Sequence, residues 1–406
     1  MRSPMLEPAV DSTEPVPWWH SVLGFGGLLG LLVWLGAVNP WMLVFVIGIV
    51  VSVVLHEVGH FVTARRSGMK VTQFFIGFGP RLWSTRRGEV EYGVRLLPLG
   101  AFVRIIGMNN LDEVEPEDES RAYRQQAFAR RLLVVSAGSL MHAVIAVVLL
   151  AGVYATAGPV GETGKVIVIG VAGGSPAEVA GLVPGDRIVR FDGTDTASRV
   201  EFVDAIQAQS PGAGVDLVIE RDGRLVTLEA GLGSNPNPGF EGVAYLGVGT
   251  DSTGRVRAPL HEAAVLATKD LGLGVWDSLR GAAVVLNPIN VVSHVVGTED
   301  DPTTRPTTLV GATQVSGAVG ERDGVAGVIT VLAAVNIFVG VLNMVPLLPL
   351  DGGHASIAVY ERLRSRRDRR YQADVTKMMP VATAVVTVLG LLLLAGLYLD
   401  ITQPLG

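Results

Sequence analysis

The stretch Val51–Arg66, VSVVLHEVGHFVTARR, constrains this chain more than any other. It sets His56, Glu57 and His60 at the end of an apolar run long enough to cross a bilayer. On a helix, residues four apart share a face, so the two imidazoles can grip one metal ion. Glu57 lies one position round, where a carboxylate can take a proton from an attacking water. An H-E-x-x-H spacing is short enough to arise by chance. Its bland reading is a helix end whose polar groups sit among lipid headgroups. Ionisable groups at membrane depth, however, cost about 3 kcal/mol each unless they are paired or metal-bound, which makes them functional by default.

Composition bounds the rest. The 406 residues are 49% hydrophobic, too apolar for an ordinary soluble protein and suited to spans joined by soluble segments. A net charge of −6 gives no reason to expect a nucleic-acid partner. There is no cysteine, so disulfides and thiolate metal sites are excluded and His and carboxylate remain as ligands. Residues 1–18 are Pro-rich and acidic, lack the basic start of a signal peptide, and read as a disordered tail.

Five apolar runs approach the roughly twenty residues a span needs. They lie at 20–38, 41–63, 132–157, 325–350 and 379–399. The first is Gly-rich and only just long enough, so whether it spans is open. Asn39-Pro40 reads as a tight turn between the first two. The segments are therefore a tail (1–18), transmembrane segments carrying HEVGH (19–63), a membrane-associated β region (64–131) and a span (132–157). A soluble unit (160–235), amphipathic surface helices (256–297), a span ending in an LDG motif (325–354) and a last span (379–399) follow. The 64–131 segment is rich in arginine, from Arg65 and Arg66 to Arg130 and Arg131, as is 355–378. The positive-inside bias puts both in the cytoplasm and 158–324 outside. The 56–60 site then lies near the cytoplasmic face.

Within 64–131, FFIGFGPRLWS and VEYGVRLLPLGAFVRIIG read as short strands separated by RRGE, with glycines supplying bends. They form either a stabilising hairpin sheet or an edge offered to an extended peptide. The acidic residues between Asp112 and Glu119 read as a solvated loop. GSPAEVAGLVPGDRIVRFDG resembles a PDZ domain, which binds extended chain ends by strand addition; alternatively the unit is a spacer that limits access. Asp222-Gly223 turns a hairpin near its end. HEAAVLATKDLGLGVWDSLRGAAVVLNPINVVSHVV has helical periodicity broken at Pro288, and 298–323 reads as a polar loop. His261 and His294 read as surface residues.

Two His leave a catalytic metal short of the usual three protein ligands. The candidate third is Asp351 in NMVPLLPLDGGH, at the end of the fourth apolar run and held by Pro346, Pro349, Gly352 and Gly353. Prolines and glycines at membrane depth mark backbone shielded by protein or lining a wet cavity. The competing reading is a turn in which Asp351 caps the next helix.

HEVGH at 56–60, the YGVRLLPLGAFVRIIGM sheet, the PDZ-like unit and NMVPLLPLDGG at 343–353 together resemble the site-2 protease family over roughly 41–400. The nearest pattern is the bacterial branch with one external PDZ domain that acts on anti-sigma factors. The resemblance implies a multi-pass α-helical membrane protein of the bacterial inner membrane, with a small membrane-associated β-sheet and an extracytoplasmic PDZ-like α/β domain. It implies Zn2+ held by His56, His60 and Asp351, with Glu57 as general base. Asn343 would bind the substrate backbone or oxyanion, and the sheet around Gly100 would pair with an unwound substrate strand. The partners implied are a transmembrane protein substrate such as an anti-sigma factor, membrane lipid, and peptide ends at the PDZ unit. The chain departs from the family at SAGSLMHA, where Ser139 stands for a usual Pro and His142 for a usual Asn. His142 reads as a packed membrane histidine or as a polar contact. The rival functions are a non-catalytic PDZ scaffold and a metal transporter; the intact Glu57 beside two ligand His disfavours both.

Overall fold

The apolar run that carries the HEVGH motif forms a single helix with a well-defined start. In the computed structural model, which describes residues 18–108, 110–299, 301, 303–365 and 371–405, α1 (Trp18–Val38) precedes α2 (Pro40–Arg66). The tail expected at 1–18 lies, but for Trp18, outside the described residues. Asn39 is the N-cap of α2: its side chain accepts from the backbone N–H groups of Trp41 and Met42, and Pro40 occupies the first turn. Both are favoured placements, because the cap satisfies orphan donors and proline has no N–H to lose. Arg65 and Arg66 end the helix where its dipole is negative.

The β region differs from the short strands expected. β1 (Val71–Arg87) and β2 (Val90–Ile105) are long, and each bends so that it pairs twice. Phe74 faces both Val103 and Tyr92, and Phe75 faces both Phe102 and Gly93, whereas Thr85 faces Tyr92 from the other side. The two strands thus build four antiparallel rungs, with 101–105 and 81–87 outermost. Gly77 and Gly79 sit at the bend of β1 with φ of 89° and 82°, a region open to glycine. A Cβ on Gly77 would lie 2.7 Å from the Leu97 carbonyl oxygen. Phe61 of α2 packs with Phe74 and Tyr92, ring centroids 5.5 and 5.9 Å away, and fixes the sheet to the helix that carries the motif.

α3 (Phe128–Thr156) follows, and its start is pinned. Arg131 pairs with Glu361 at 2.7 Å, both side chains about nine-tenths buried, while the guanidinium lies over the Tyr123 ring at 4.8 Å.

The second compact unit covers residues 152–263. Its sheet takes β3 (Val160–Val171), β4 (Arg187–Phe191), β6 (Gly214–Arg221), β7 (Arg224–Gly231) and β10 (Val248–Arg255) in the order β10-β3-β4-β6-β7. β5 (Thr194–Asp195) pairs with β4, and β8 (Gly233–Ser234) pairs with β9 (Ala244–Tyr245). Two helices, α4 (Pro176–Val179) and α5 (Arg199–Gln207), are capped by Ser175 and Ser198. Ile188, Phe191, Phe202, Leu217 and Ile219 form its core. Asp222 and Gly223 both take positive φ, as a two-residue hairpin turn of this hand requires. β10 closes the sheet beyond the limit of 235 expected for the unit, because it pairs with β3 from outside.

One ion pair anchors this unit. Asp186 is 1% exposed, and both its oxygens accept from Arg221, at 2.7 Å each. Arg221 holds the Asp186 carboxyl below the usual carboxylate range. The pair's contribution is therefore complete above the unfolded value near 4 and is lost as pH falls through the lower folded value. Asp186→Asn is expected to cost about 2 kcal/mol at pH 7, since the Arg221 left behind is one-third exposed and stays solvated. Amide exchange of β3 and β4 in the full chain should accelerate more than tenfold at pH 7, and the gap to wild type should close in acid. Unchanged exchange at pH 7 would show the pair to be dispensable.

α6 (Leu260–Val285) and α7 (Pro288–Val296) are joined with a 63° bend. The expectation of surface helices is amended here: Leu271, Val275 and Leu279 of α6 share a cleft with Ser139 and Ile337, and Gly274 packs on Ile337. α6 thus runs alongside the spans. α8 (Leu309–Asn343) begins well before the expected start at 325, inside the segment read as a polar loop. It kinks at Gly324, where φ is 64° and ψ −152°. The group that holds its early start lies far away in the chain. Asp400, fully buried near the end of α10 (Met379–Thr402), accepts from the backbone N–H groups of Thr308 and Gly311, the Thr308 hydroxyl and the Arg305 guanidinium. It supports the Thr308 N-cap of α8 from a position distant in sequence. Removing it leaves Arg305 buried and unpaired, so Asp400→Ala should lower stability by about 3–5 kcal/mol. A thermal midpoint indistinguishable from wild type in detergent would contradict this.

Among the described residues, four helices are long and apolar enough to cross a membrane: α2, α3, α8 and the Val375–Thr402 segment containing α10. A fifth arises if α6 and α7 count as one bent span. His294 is not the surface residue expected. It is 2% exposed and its ring nitrogens face the carbonyl oxygens of Asn290 and Asp301.

Candidate metal centre

α2 presents Ser52, His56 and His60 as one stripe, each a helical turn from the next. α3 packs against it closely enough that a Cβ on Gly59 would lie 2.8 Å from the Ala137 carbonyl oxygen. Within that contact His60 Nδ1 donates to the Val134 carbonyl oxygen at 2.7 Å. A neutral ring so bonded turns its Nε2 lone pair the other way. That Nε2 lies 3.2 Å from His56 Nε2.

The third group arrives from the far end of the chain. After α8 the backbone turns through Met344–Leu350 and enters α9 (Asp351–Arg364). Asp351 Oδ2 lies 3.5 Å from His56 Nε2 and 3.3 Å from His60 Nε2. Asp351 makes no side-chain cap bond, and the N-cap position belongs to Leu350, so the capping alternative is not what the fold uses. Gly352 and Gly353 permit the approach: a Cβ on Gly352 would come 2.3 Å from the Met344 carbonyl, and one on Gly353 2.6 Å from the Leu348 nitrogen. At its other end α9 is held by the Arg131–Glu361 pair, with Glu361 also accepting from the Ala373 N–H at 2.7 Å. The orientation of Asp351 is therefore braced from α3.

These three residues are the metal-competent cluster among the described residues, with their donor atoms all within 4.8 Å of one another. The set fits zinc. Tetrahedral bonds of about 2.0–2.1 Å separate ligand atoms by about 3.3–3.4 Å, close to the spacings here. Asp351 Oδ2 is buried with no hydrogen-bond partner among the described residues. Two imidazole nitrogens and a carboxylate oxygen converging at these spacings is an arrangement a cation satisfies.

Glu57 stands beside the cluster, its Oε1 3.9 Å from His56 Nε2 and its side chain 16% exposed. The backbone N–H of Val103, on the outer rung of the sheet, faces its carboxylate. The sheet thus lies beside the candidate base. Asn343 closes α8, part-exposed, just before the turn that leads to Asp351. Gly100 precedes the outer rung and lies against the Phe78 ring, 2.4 Å from where its Cβ would be.

Sequence reasoning gave Ser52 and Asn336 no role and left His142 as either a packed histidine or a polar contact; it is a polar contact. His142 Nδ1 bonds to Asn336 Oδ1 at 2.8 Å, and Asn336 Nδ2 donates to Ser52 Oγ at 3.1 Å and to the Leu332 carbonyl oxygen at 2.8 Å. The available signal was Ser52, a lone polar residue one turn before His56 in an otherwise apolar span.

A multi-pass membrane protein with a His-His-Asp cluster and an adjacent glutamate is a zinc metallopeptidase by class. The family model of peptidase family M50 matches residues 44–387. Over 400 residues the chain is 35% identical to the zinc metalloprotease Rip1 of Mycobacterium tuberculosis, covering 90% of this chain and 98% of that one. It is 30% identical to the probable chloroplastic membrane metalloprotease ARASP2 of Arabidopsis thaliana, covering 84% and 76%. Among solved structures it is similar to the PDZ domain of an SdrC-like protein from Listeria innocua, at 26% identity and TM-score 0.19, over 21% of this chain and 92% of that chain. The chain belongs to peptidase family M50, and it is an enzyme rather than a scaffold or a transporter.

Proposed function

We propose that this enzyme cuts single-span membrane proteins, anti-sigma factors among them, within the bilayer of a bacterial inner membrane. His56, His60 and Asp351 hold the metal and Glu57 is the base. The observation that carries the reading is the meeting of Asp351, at the start of α9, with the His pair of the spanning helix α2 at 3.3–3.5 Å. When bound, zinc polarises the scissile carbonyl and lowers the pKa of its water to about 7. Glu57 takes the proton from the attacking water and delivers it to the leaving amide nitrogen. Asn343 stabilises the oxyanion; a donor in that role is worth about 3 kcal/mol in the transition state.

A substrate helix hides its amides in its own hydrogen bonds, so it must unwind to be cut. The rung at Ala101–Ile105, reached after Gly100 and outermost in the sheet, supports strand pairing for the unwound stretch. An apolar cleft of about 450 Å³ between α3, α6 and α8, with Met344–Pro346 in its wall, suits apolar substrate side chains. Purified enzyme mixed with single-span anti-sigma factors should give paired products whose masses place the cut inside the span. Intact substrate after prolonged incubation with zinc-loaded enzyme would remove this substrate class.

The arginine-rich 64–131 and 355–378 segments support a cytoplasmic placement for the sheet, and hence an external one for the PDZ-like unit, which binds peptide ends or limits access. This orientation needs α6 and α7 to return to the side they left, as a re-entrant element bent by 63° does. The absence of native cysteine makes the test clean. In spheroplasts, an impermeant maleimide should label Ser234→Cys and spare Glu117→Cys, both exposed positions. Reversed labelling would invert the topology.

A further inference from the structure

The polar column next to the metal cluster has no part in the chemistry above, yet all three of its side chains are deeply buried in the membrane region. Ser52 is 3% exposed, His142 3% and Asn336 1%. Each sits on a different span: α2, α3 and α8. Buried polar groups in a span are costly unless every member is satisfied, and a satisfied network fixes the relative positions of the elements it joins. This one is directional. Asn336 Nδ2 gives its two protons to Ser52 Oγ and the Leu332 carbonyl, so Oδ1 is the acceptor left for His142 Nδ1–H. The His142 ring is thereby held in one orientation, and its centroid lies 5.0 Å from that of His56 at a 46° tilt. His56 is otherwise enclosed by His60, ring centroid 4.8 Å away, and by Gly138.

We propose that His142 is a positioning residue of the metal site. Clamped through Asn336 to Ser52, its ring is the wall that sets the His56 imidazole at the angle the metal requires. The inference rests on the reading of His56 as a ligand. It makes the His142-for-Asn departure from the family pattern a repositioning of the ligand's support, not a loss of it. Because Ser52 and His56 are one turn apart on α2, the column closes a loop from the ligand's helix through α8 and α3 back to the ligand's ring.

The test uses the full-length enzyme in detergent, with zinc affinity read by chelator competition and ligand geometry by the visible bands of the cobalt-substituted protein. His142→Phe keeps a ring but cannot donate to Asn336, and Asn336→Leu breaks the column from the far side without touching His56. Each is expected to weaken zinc binding by about 10- to 100-fold, the range for outer-shell partners of metal ligands, and to shift the cobalt bands. The double variant should be no worse than the worse single, as members of one unit behave. His142→Asn, which keeps a donor near the Nδ1 position, should recover part of the affinity lost in His142→Phe. Wild-type affinity and cobalt bands in both His142→Phe and Asn336→Leu, with zinc lost in His56→Ala, would overturn the proposal and leave the metal site standing. Zinc retained in His56→Ala would overturn the ligand reading beneath it. Should His142→Phe fail to fold, Asn336→Leu and His142→Asn decide the matter by the same two readouts.

Discussion

Glu57→Gln is expected to bind zinc with wild-type stoichiometry and to lower kcat by about 10³-fold or more. Gln keeps the size and shape of the side chain. His56, His60 and Asp351 are untouched, so the cluster with donor atoms within 4.8 Å remains intact. What is lost is the ability to take up a proton. General-base catalysis commonly contributes about 10²–10⁴-fold, and 10³-fold corresponds to about 4 kcal/mol of barrier. KM should hold, because Glu57 reaches the substrate only through the water and the leaving nitrogen; a fall in kcat with KM unchanged marks an interaction made in the transition state. The measurement is zinc content on purified protein alongside cleavage kinetics. Wild-type kcat would remove Glu57 as the base. Loss of zinc would reassign it as a ligand.

The site and the fold were legible to different degrees, and the reasons are physical. A helix repeats about every 3.6 residues, so His56 and His60 declare a shared face without any tertiary knowledge. Asn39-Pro40 and Asp222-Gly223 carry their backbone geometry locally, one as N-cap and first turn, the other as a positive-φ hairpin. Asp351 was legible because a carboxylate between prolines and glycines at the end of an apolar run has few other uses. The four-rung sheet was not. Its bends at Gly77 and Gly79 depend on which rung each strand meets twice, a long-range fact. The first half of α8 was hidden because its glycines give it weak helical preference, and the carboxylate that holds its start, Asp400, lies 89 residues after Gly311. Likewise His142, Asn336 and Ser52 lie on three different spans, and nothing local says that they meet.

The same packing logic gives the second large effect, at a glycine. In an ordinary exposed helix, Gly→Ala gains about 1 kcal/mol from helix propensity. Gly152, on α3, has nothing within 4 Å of the place a Cβ would take, and Gly152→Ala should be neutral or slightly stabilising with zinc affinity unchanged. Gly138 lies on the same helix but faces the metal cluster, and there the sign reverses. A Cβ on it would lie 2.2 Å from His56 Cε1 and 2.5 Å from both ring nitrogens. The ring cannot retreat freely, since His60 and His142 flank it at centroid distances of 4.8 and 5.0 Å. Nor can α3 back away cheaply, because its Val134 carbonyl oxygen accepts from His60 Nδ1 of α2 at 2.7 Å. A shift of the ring by about half a metal–ligand bond length takes Nε2 out of the ligand cluster. Gly138→Ala should therefore leave the helix intact, reduce zinc affinity by on the order of 100-fold, toward the upper end for outer-shell changes, and remove activity in step with bound zinc. Chelator competition on the Gly138→Ala and Gly152→Ala proteins, with thermal midpoints for both, separates the two effects. Equal zinc affinity in the pair would mean that the His56 seat yields to one methyl group and is not rigid.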